Sequence, residues 1–166
     1  SGLAVDGGNL IRQLREFGDT GLIVGGNGFN TPNIFPVCQQ YCEGLIVAQA
    51  YSPLNPAEIN TTFVQLYSDS QGRTASQFSA QAFTAVQVYV EALIRLDNIV
   101  GLETLDTATL RSLLNMAVLA GGYDTPLGPI SFTPTGEIVQ GQFYVAQVDM
   151  NDDAQTGSFT LVSGGE

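Results

Sequence analysis

The feature that most constrains this chain is Leu22–Asn30, where the apolar run Leu-Ile-Val ends abruptly in Gly-Gly-Asn-Gly. Helical periodicity closed by a glycine predicts a helix over Asn9–Phe17 before it, and Pro32 predicts the start of another helix after it. Helix, buried strand, glycine turn and helix is the order found in a parallel α/β sheet. Ligands of such sheets bind beyond the carboxyl ends of the strands, so Gly25–Asn30 is either one wall of a binding crevice or an ordinary turn.

The composition limits the chemistry open to this chain. It has 166 residues, a hydrophobic content of 44%, a net charge of −11 at pH 7, and five basic residues that are all arginine. Because the arginines are scattered, no basic stripe exists to follow phosphates, which argues against nucleic acid and anionic membranes as partners. Histidine is absent, which removes the usual general base and the commonest metal ligand. We therefore expect a binding protein with no catalytic residues, no metal site and no cofactor.

The two cysteines, Cys38 and Cys42, lie four residues apart near the end of a helix predicted over Pro32–Tyr41. Fraying of that helix after Tyr41 would allow a disulfide; a regular helix would favour two free thiols. No further cysteine completes a zinc site. No apolar run reaches the roughly 20 residues of a membrane span, and no signal peptide is evident, so we expect a mature, trimmed or cytosolic chain.

The first fifty residues contain two further features of interest. The glycine-rich opening Ser1–Gly8 is predicted to be a loop, and it either cradles a phosphate or holds Asp6 as a helix cap. A second buried strand is predicted over Gly44–Gln49. Two prolines then make Tyr51–Pro56 a crossing segment. Tyr51 follows the strand end directly, where its ring would either line a crevice or pack in a core.

The remainder of the chain is predicted to form helices and then strands. Three helices follow one another with no strand between them: Ala57–Asp69, Ser76–Asp97 and Asp106–Ala120, the last with Asp106 as its cap. The middle helix has few polar residues, which predicts burial on more than one side. Four strands are predicted after them, the first two forming a hairpin: Ile130–Thr133, Glu137–Gln140, Phe143–Val148 and Ser158–Val162.

The order of these motifs resembles the second half of the type I periplasmic solute-binding proteins of ABC transporters, the leucine/isoleucine/valine-binding family. The likeness covers essentially all of the chain. The segments that carry it are, in order, Asn9–Gly18, Val24–Gly28, Glu43–Val47, Ala82–Val86 and Gly128–Gly136.

The resemblance implies an α/β fold of the type I periplasmic-binding-protein kind, with a parallel sheet, flanking helices and a partial second lobe. Residues 1–50 and 142–166 would form the C-terminal lobe, and residues 51–141 the C-terminal part of the N-terminal lobe, whose parallel strands would precede this chain. It further implies an extracytoplasmic, periplasmic receptor, lipid-anchored in its full-length form. Such a receptor binds a small polar ligand, an amino acid of the branched-chain or related type, and delivers it to an ABC permease.

The resemblance and the strand-end positions together identify seven candidate ligand-binding residues: Gly2, Leu3, Asp6, Asn27, Gly28, Phe29 and Tyr51. Export of the protein would also permit a Cys38–Cys42 disulfide. Two positions depart from the family, whose amino-acid binders commonly place a carboxylate at the position of Asn27 and an aromatic ring at that of Leu3. Charge-assisted hydrogen bonds are about twice as strong as neutral ones, so the resemblance predicts the fold better than the ligand.

Other interpretations remain at this point. One is a flavodoxin-like α/β enzyme that binds a phosphate-containing ligand through Gly2–Gly8 or Gly25–Gly28, although the absence of histidine and of an upstream strand argues against it. Another is a sensory domain of the same fold. The apolar helix Ser76–Asp97 also needs a covering surface. We expect a second copy, a missing N-terminal fragment, or the neighbouring helices to supply it.

Overall fold

The computed structural model describes the backbone of residues 2–164 and the side chains of residues 2–162. The chain forms two compact units, Ser1–Ser52 with Gln142–Glu166, and Pro53–Gly141. The helices are α1 Ala4–Glu16, α2 Phe35–Cys38, α3 Glu58–Gln71, α4 Gln77–Val100 and α5 Thr107–Leu119. The strands are β1 Val24–Gly25, β2 Ile46–Gln49, β3 Gly122–Thr125, β4 Gly128–Phe132, β5 Ile138–Gln140, β6 Tyr144–Met150 and β7 Gly157–Gly164. Within residues 2–164, no helix combines the length and apolarity that a membrane crossing requires.

The first unit contains a four-stranded sheet in the order β1-β2-β6-β7. β1 and β2 run parallel, with Val24 opposite Ile46, whereas β6 and β7 continue the sheet in antiparallel directions. The α/β fold is therefore confirmed, and its sheet is mixed, with one parallel pair among the described strands. The core of this unit joins α1, the α2 region and the sheet through the side chains of Ile11, Ile34, Phe35, Leu45, Val47 and Val148.

The start of α1 differs from the sequence-based prediction. The predicted glycine-rich loop over Ser1–Gly8 is wrong, because α1 begins at Ala4 and includes both Gly7 and Gly8. Both glycines are buried. A Cβ added to Gly8 would lie 2.8 Å from Val37 Cγ1, and one added to Gly7 would overlap the ring of Phe29. Glycine occupies these helical positions because neighbouring groups pack directly against the backbone.

The strand predicted after Leu22 is shorter and more exposed than expected. β1 contains only two residues and lies at the edge of its sheet. Leu22 and Val24 are both exposed, whereas Gly25 is buried. The prediction of a buried strand is wrong here, since a strand is buried on both faces only where other elements cover it.

The helix predicted over Pro32–Tyr41 is divided into three short pieces. A 3₁₀ turn, Pro32–Ile34, leads into α2, and a second 3₁₀ turn, Gln39–Cys42, follows it. Gln39 has φ 55°, which breaks the helical path between the two cysteines. Cys38 and Cys42 are joined in a disulfide with their Cα atoms 5.4 Å apart, and both are fully buried. The break thus allows the pairing that a regular helix would hinder.

The second unit contains α3, α4 and α5 together with a three-stranded antiparallel sheet in the order β3-β4-β5. The three predicted helices are confirmed, with their ends moved by one to three residues, and Asp106 caps α5 as expected. The predicted hairpin is also confirmed as β4 and β5, with Gly136 in the turn at φ 88°. β3 was not predicted from the sequence; it pairs with β4, Gly122 lying opposite Ser131.

Helix α4 presents apolar side chains on two faces, and only one of them is covered within residues 2–164. The covered face follows a spacing of four residues: Ala80, Thr84, Val88, Ala92 and Leu96 are buried. On the other face Val86, Tyr89 and Val90 are exposed. α4 is therefore buried on one side and not, as the sequence suggested, on several.

Candidate functional site

The candidate site begins at the carboxyl end of β1. The chain leaves the strand at Gly26, which precedes a single 3₁₀ turn formed by Asn27–Phe29. The turn closes through hydrogen bonds from Phe29 N to Gly26 O at 3.0 Å and from Asn30 N to Asn27 O at 3.1 Å. It follows that the glycine-rich segment is an ordered turn, and Asn27 stands exposed at its start.

This turn lies against the amino end of α1. A Cβ added to Gly28 would come within 3.1 Å of the carbonyl oxygen of Gly2 and 3.6 Å of Leu3 Cδ2. Leu3 is the N-cap residue of α1 and provides no side-chain capping bond. The turn and the start of α1, which are about 25 residues apart in sequence, are therefore neighbours in space, as the strand-end argument predicts.

Phe29 packs between two glycines. Built Cβ atoms on Gly7 and on Gly25 would both overlap its ring, the first at Cζ and Cε1 and the second at Cδ2. The ring is half-buried and packs against the core of the first unit. We call the space between Gly7 and Gly25 the glycine slot. The glycine slot brings α1, β1 and the turn into contact through one side chain.

A cavity of about 540 Å³ opens between α1, β1 and the turn. Five of the seven predicted ligand-binding residues line it: Gly2, Asp6, Asn27, Gly28 and Phe29. The rest of its wall is largely aliphatic, with contributions from Leu10, Ile11, Leu14, Ile23 and Val24. Small-molecule sites commonly combine an apolar wall with a few polar groups in this way.

Two lining residues give the cavity its polar side chains. Asp6, in the first turn of α1, is the one charged residue among the described lining residues, and Asn27 contributes the one side-chain amide. A carboxylate in this position also complements the positive end of the helix dipole. Across residues 2–164, no three His, Cys, Asp or Glu side chains gather as metal ligands.

A buried amide pair that the sequence analysis missed adjoins the turn. Gln49 Nε2, at the end of β2, donates a 2.8 Å hydrogen bond to Asn30 Oδ1, and both residues are buried. The bond joins the end of the turn to the neighbouring strand. The one sequence signal for it was a polar glutamine at the end of an apolar strand, since a buried amide is expected to find a partner.

Tyr51, the seventh predicted residue, does not line this cavity. It lies two residues beyond β2 and its side chain is buried. Burial, followed by the influence of Tyr144, raises the pKa of Tyr51 to about 12, so the phenol is neutral at physiological pH. The structure thus brings Leu3 and the five lining residues together and leaves Tyr51 apart from the cavity.

Comparison with known families gives a match over nearly the whole chain. A family profile described as periplasmic binding protein matches residues 2–156. Comparison with curated protein sequences gave no match.

Several solved structures share the fold. The leucine binding protein LivK from Thermotoga maritima has 21% sequence identity and a TM-score of 0.77. The match covers 95% of this chain and 41% of LivK. LivJ from Streptococcus pneumoniae, solved in complex with isoleucine, has 16% sequence identity and a TM-score of 0.70. The match covers 99% of this chain and 43% of LivJ. A solute binding protein from Rhodopseudomonas palustris, solved in complex with 3,4-dihydroxy benzoic acid, has 22% sequence identity and a TM-score of 0.67. The match covers 97% of this chain and 42% of that protein. The chain therefore spans about two fifths of the length of these relatives.

Proposed function

Because the chain belongs to the periplasmic binding protein family, as the match over residues 2–156 shows, we propose that it serves as the solute-binding receptor of an ABC transporter. Members of this family are solute-binding proteins rather than enzymes, and the chain lacks histidine altogether. In this proposal the protein acts outside the cytoplasm, anchored there by lipid in its full-length form, and hands its ligand to a permease.

The convergence of Asn27, Gly28, Asp6 and Gly2 on one cavity supports this proposal most directly. These residues come from two separate segments, and the fold brings them to the carboxyl end of β1. Polar groups at strand ends recognise ligands non-covalently in open α/β sheets. The flavodoxin-like enzyme loses one of its two candidate phosphate loops, Gly2–Gly8, because Gly7 and Gly8 are helical and packed against side chains. They leave no room for a phosphate against the backbone.

We propose a small polar ligand, an amino acid of the branched-chain or related type. The aliphatic wall of the cavity suits an apolar side chain, and Asp6 would attract an ammonium group. Asn27 can accept a hydrogen bond from an ammonium or donate one to a carboxylate. Two structures with this fold were solved with isoleucine and with 3,4-dihydroxy benzoic acid, and both of those molecules carry a carboxyl group.

In the same proposal the two compact units correspond to parts of two lobes. The unit Ser1–Ser52 with Gln142–Glu166 would belong to the C-terminal lobe, and Pro53–Gly141 to the N-terminal lobe. The chain crosses between them near Ser52 and near Gly141. The remaining three fifths or so of the relatives' length would supply the parallel strands of the N-terminal lobe.

A thermal-shift panel on the complete protein tests the ligand class. We expect leucine, isoleucine or valine to raise the melting temperature, since a ligand at 100 times its Kd adds about 2.7 kcal/mol to the stability of the native state. Benzoate and 3,4-dihydroxybenzoate form the second arm, and ATP with inorganic phosphate the third. Stabilisation by the third arm alone would contradict the receptor proposal.

Replacing Asn27 tests the site itself. Asn27→Ala should weaken binding of the stabilising solute by about 1–3 kcal/mol, because it leaves a polar group of the ligand without its partner. Asn27→Asp should shift the preference toward cationic amines, since it adds a negative charge. Asn9→Ala is the control, as Asn9 is exposed on α1 and does not line the cavity. Unchanged affinity in both Asn27 variants would remove Asn27 from the site.

A further inference from the structure

The ring of Phe29 lines the cavity and is at the same time enclosed by two glycines. Its ring lies in the glycine slot, where a Cβ added to Gly7 of α1 would overlap Cζ and Cε1, and one added to Gly25 of β1 would overlap Cδ2. Gly7 and Gly25 are both buried, and a hydrogen atom is the largest substituent that either could carry beside this ring. The size of residue 29 is therefore coupled to the sizes of residues 7 and 25.

The glycine in α1 is informative because of its energetic cost. Glycine in a helix interior is less favourable than alanine by about 0.8–1.0 kcal/mol. Gly7 lies one turn into a 13-residue helix, where alanine would be preferred on propensity alone. The ring of Phe29 occupies the volume that an alanine Cβ would take.

The residue that carries this ring belongs to the same 3₁₀ turn as Asn27, the candidate ligand-binding amide. Phe29 ends the 3₁₀ turn that Asn27 begins, so moving the ring moves the turn. The turn is held at its other points by Gly28 against Gly2 O and by the Gln49–Asn30 hydrogen bond. Asn27 itself is exposed, so the position of its amide depends on these surrounding contacts.

We propose that Phe29 is a positioning residue whose ring, held in the glycine slot, sets the place of the Asn27 amide relative to the amino end of α1. This inference rests on the proposed function, because it assigns the contact a purpose in ligand binding. It gives Phe29, which lines the cavity, a second role in holding the turn that carries Asn27.

The test uses three variants of the complete protein: Gly7→Ala, Phe29→Leu and the double variant. Gly7→Ala should lower the melting temperature by about 5 °C or more through overpacking, despite the better helix propensity of alanine. It should also shift the backbone amide resonances of Asn27 and Gly28. Leucine lacks the Cε1 and Cζ atoms that an alanine Cβ at residue 7 would overlap, so the double variant should recover much of the stability that Gly7→Ala loses.

Asn9→Ala is the matched control, being an alanine substitution at an exposed site on the same helix. It should leave the resonances of Asn27 and Gly28 in place. With L-leucine as the probe, affinity should fall at least about tenfold in Gly7→Ala, which corresponds to 1.4 kcal/mol, and recover in the double variant.

Two results would overturn the inference. One is a backbone amide resonance of Asn27 that does not move in Phe29→Leu. This variant can be measured even if Gly7→Ala does not fold. The other is a double variant that is no more stable than Gly7→Ala. The resonance measurements need no ligand, so a failure of L-leucine to bind the parent protein counts against the proposed function while the positioning result stands by itself.

Discussion

At the scale of single residues, Tyr51 shows how burial changes the chemistry of one side chain. The residue follows the end of β2, and its side chain is almost fully buried. Burial disfavours the phenolate, and the nearby Tyr144 adds to the effect, so the pKa of Tyr51 rises from 10.0 to about 12. The folded protein therefore holds this proton more tightly than the unfolded chain does.

The stability of the protein should therefore fall at alkaline pH. Below pH 10 both states keep the Tyr51 proton, and its contribution is fully present. Between pH 10 and about 12 only the folded state keeps it. Stability is lost across that window as the pH rises, by about 2–3 kcal/mol in total. Melting curves from pH 8 to 12 on the parent and on Tyr51→Phe measure the effect.

The Tyr51→Phe variant should lose less stability than the parent above pH 10, whatever constant offset separates the two at lower pH. Tyr89→Phe is the matched control, because Tyr89 is exposed on α4 and its replacement should leave the parent's alkaline decline in place. Parallel curves for the parent and Tyr51→Phe up to pH 12 would contradict the prediction.

The parts of the candidate site that lie at a strand end were predictable from the sequence, and the parts that depend on side-chain packing were not. Asn27 and Gly28 were found because a glycine turn after an apolar strand indicates a crevice. The helical state of Gly7 was not found, since the sequence shows its poor helix propensity but not the ring of Phe29 that requires it. The Gln49–Asn30 bond joins residues 19 apart, which local patterns do not reveal.

At the scale of elements, α5 owes its start to Asp106. Asp106 Oδ1 accepts hydrogen bonds from Ala108 N at 2.9 Å and Thr109 N at 3.0 Å, and Oδ2 accepts one from Thr109 Oγ1 at 2.6 Å. These bonds, led by that from the Thr109 hydroxyl, lower the pKa of Asp106. The ionised cap thus satisfies two N–H groups that a helix otherwise leaves without partners.

Replacing the cap should destabilise α5 in a pH-dependent way. Because the pKa of the folded cap is below its ordinary value of 3.8, its contribution is present above pH 3.8 and is lost as the pH falls through the lower folded pKa. At pH 7, Asp106→Ala should lower the melting temperature, whereas Asp106→Asn, which keeps an acceptor, should lower it less. Melting curves from pH 7 to pH 2 measure both effects.

Asp152→Ala is the control for this experiment, since Asp152 is an exposed acidic residue in a turn of the other unit. The difference in melting temperature between Asp106→Asn and the parent should become smaller as the pH falls. A gap that stays constant from pH 7 to pH 2 would show that the charge of the cap does not contribute.

The helices of the second unit were predictable because their end signals are local. Gly72 and Gly101 end α3 and α4 with φ of 66° and 70°, and Asp106 begins α5. β3 was missed because it is a strand through its pairing with β4, a contact that local sequence patterns do not reveal. The covered face of α4 was also not predictable, since apolar residues lie on both faces of the helix.

At the scale of the whole molecule, both units leave apolar surface exposed. In the first unit, β1 is an edge strand of the described sheet, and Val24 in it and Leu22 just before it are exposed. In the second unit, α4 exposes Val86, Tyr89 and Val90. Contiguous apolar surface of this kind usually marks an interface or a covered face. Since the chain spans about two fifths of its relatives' length, we propose that other strands of the same lobe cover α4.

Charged substitutions on α4 test this proposal. They should have opposite effects where the face is exposed, in the isolated chain, and where it is covered, in the complete protein. In the isolated 166-residue chain, Val86→Lys with Val90→Lys should reduce binding of a hydrophobic dye and favour a monomer in sedimentation, since the open face becomes polar. In the complete protein the same pair should lower the melting temperature, because burying an unpaired charge is costly. Asn98→Lys, exposed on the same helix, should do neither. A monodisperse parent chain that binds no dye would show that this face of α4 is not open in the isolated chain. A complete protein whose melting temperature is unchanged by both lysines would show that other strands do not cover the face.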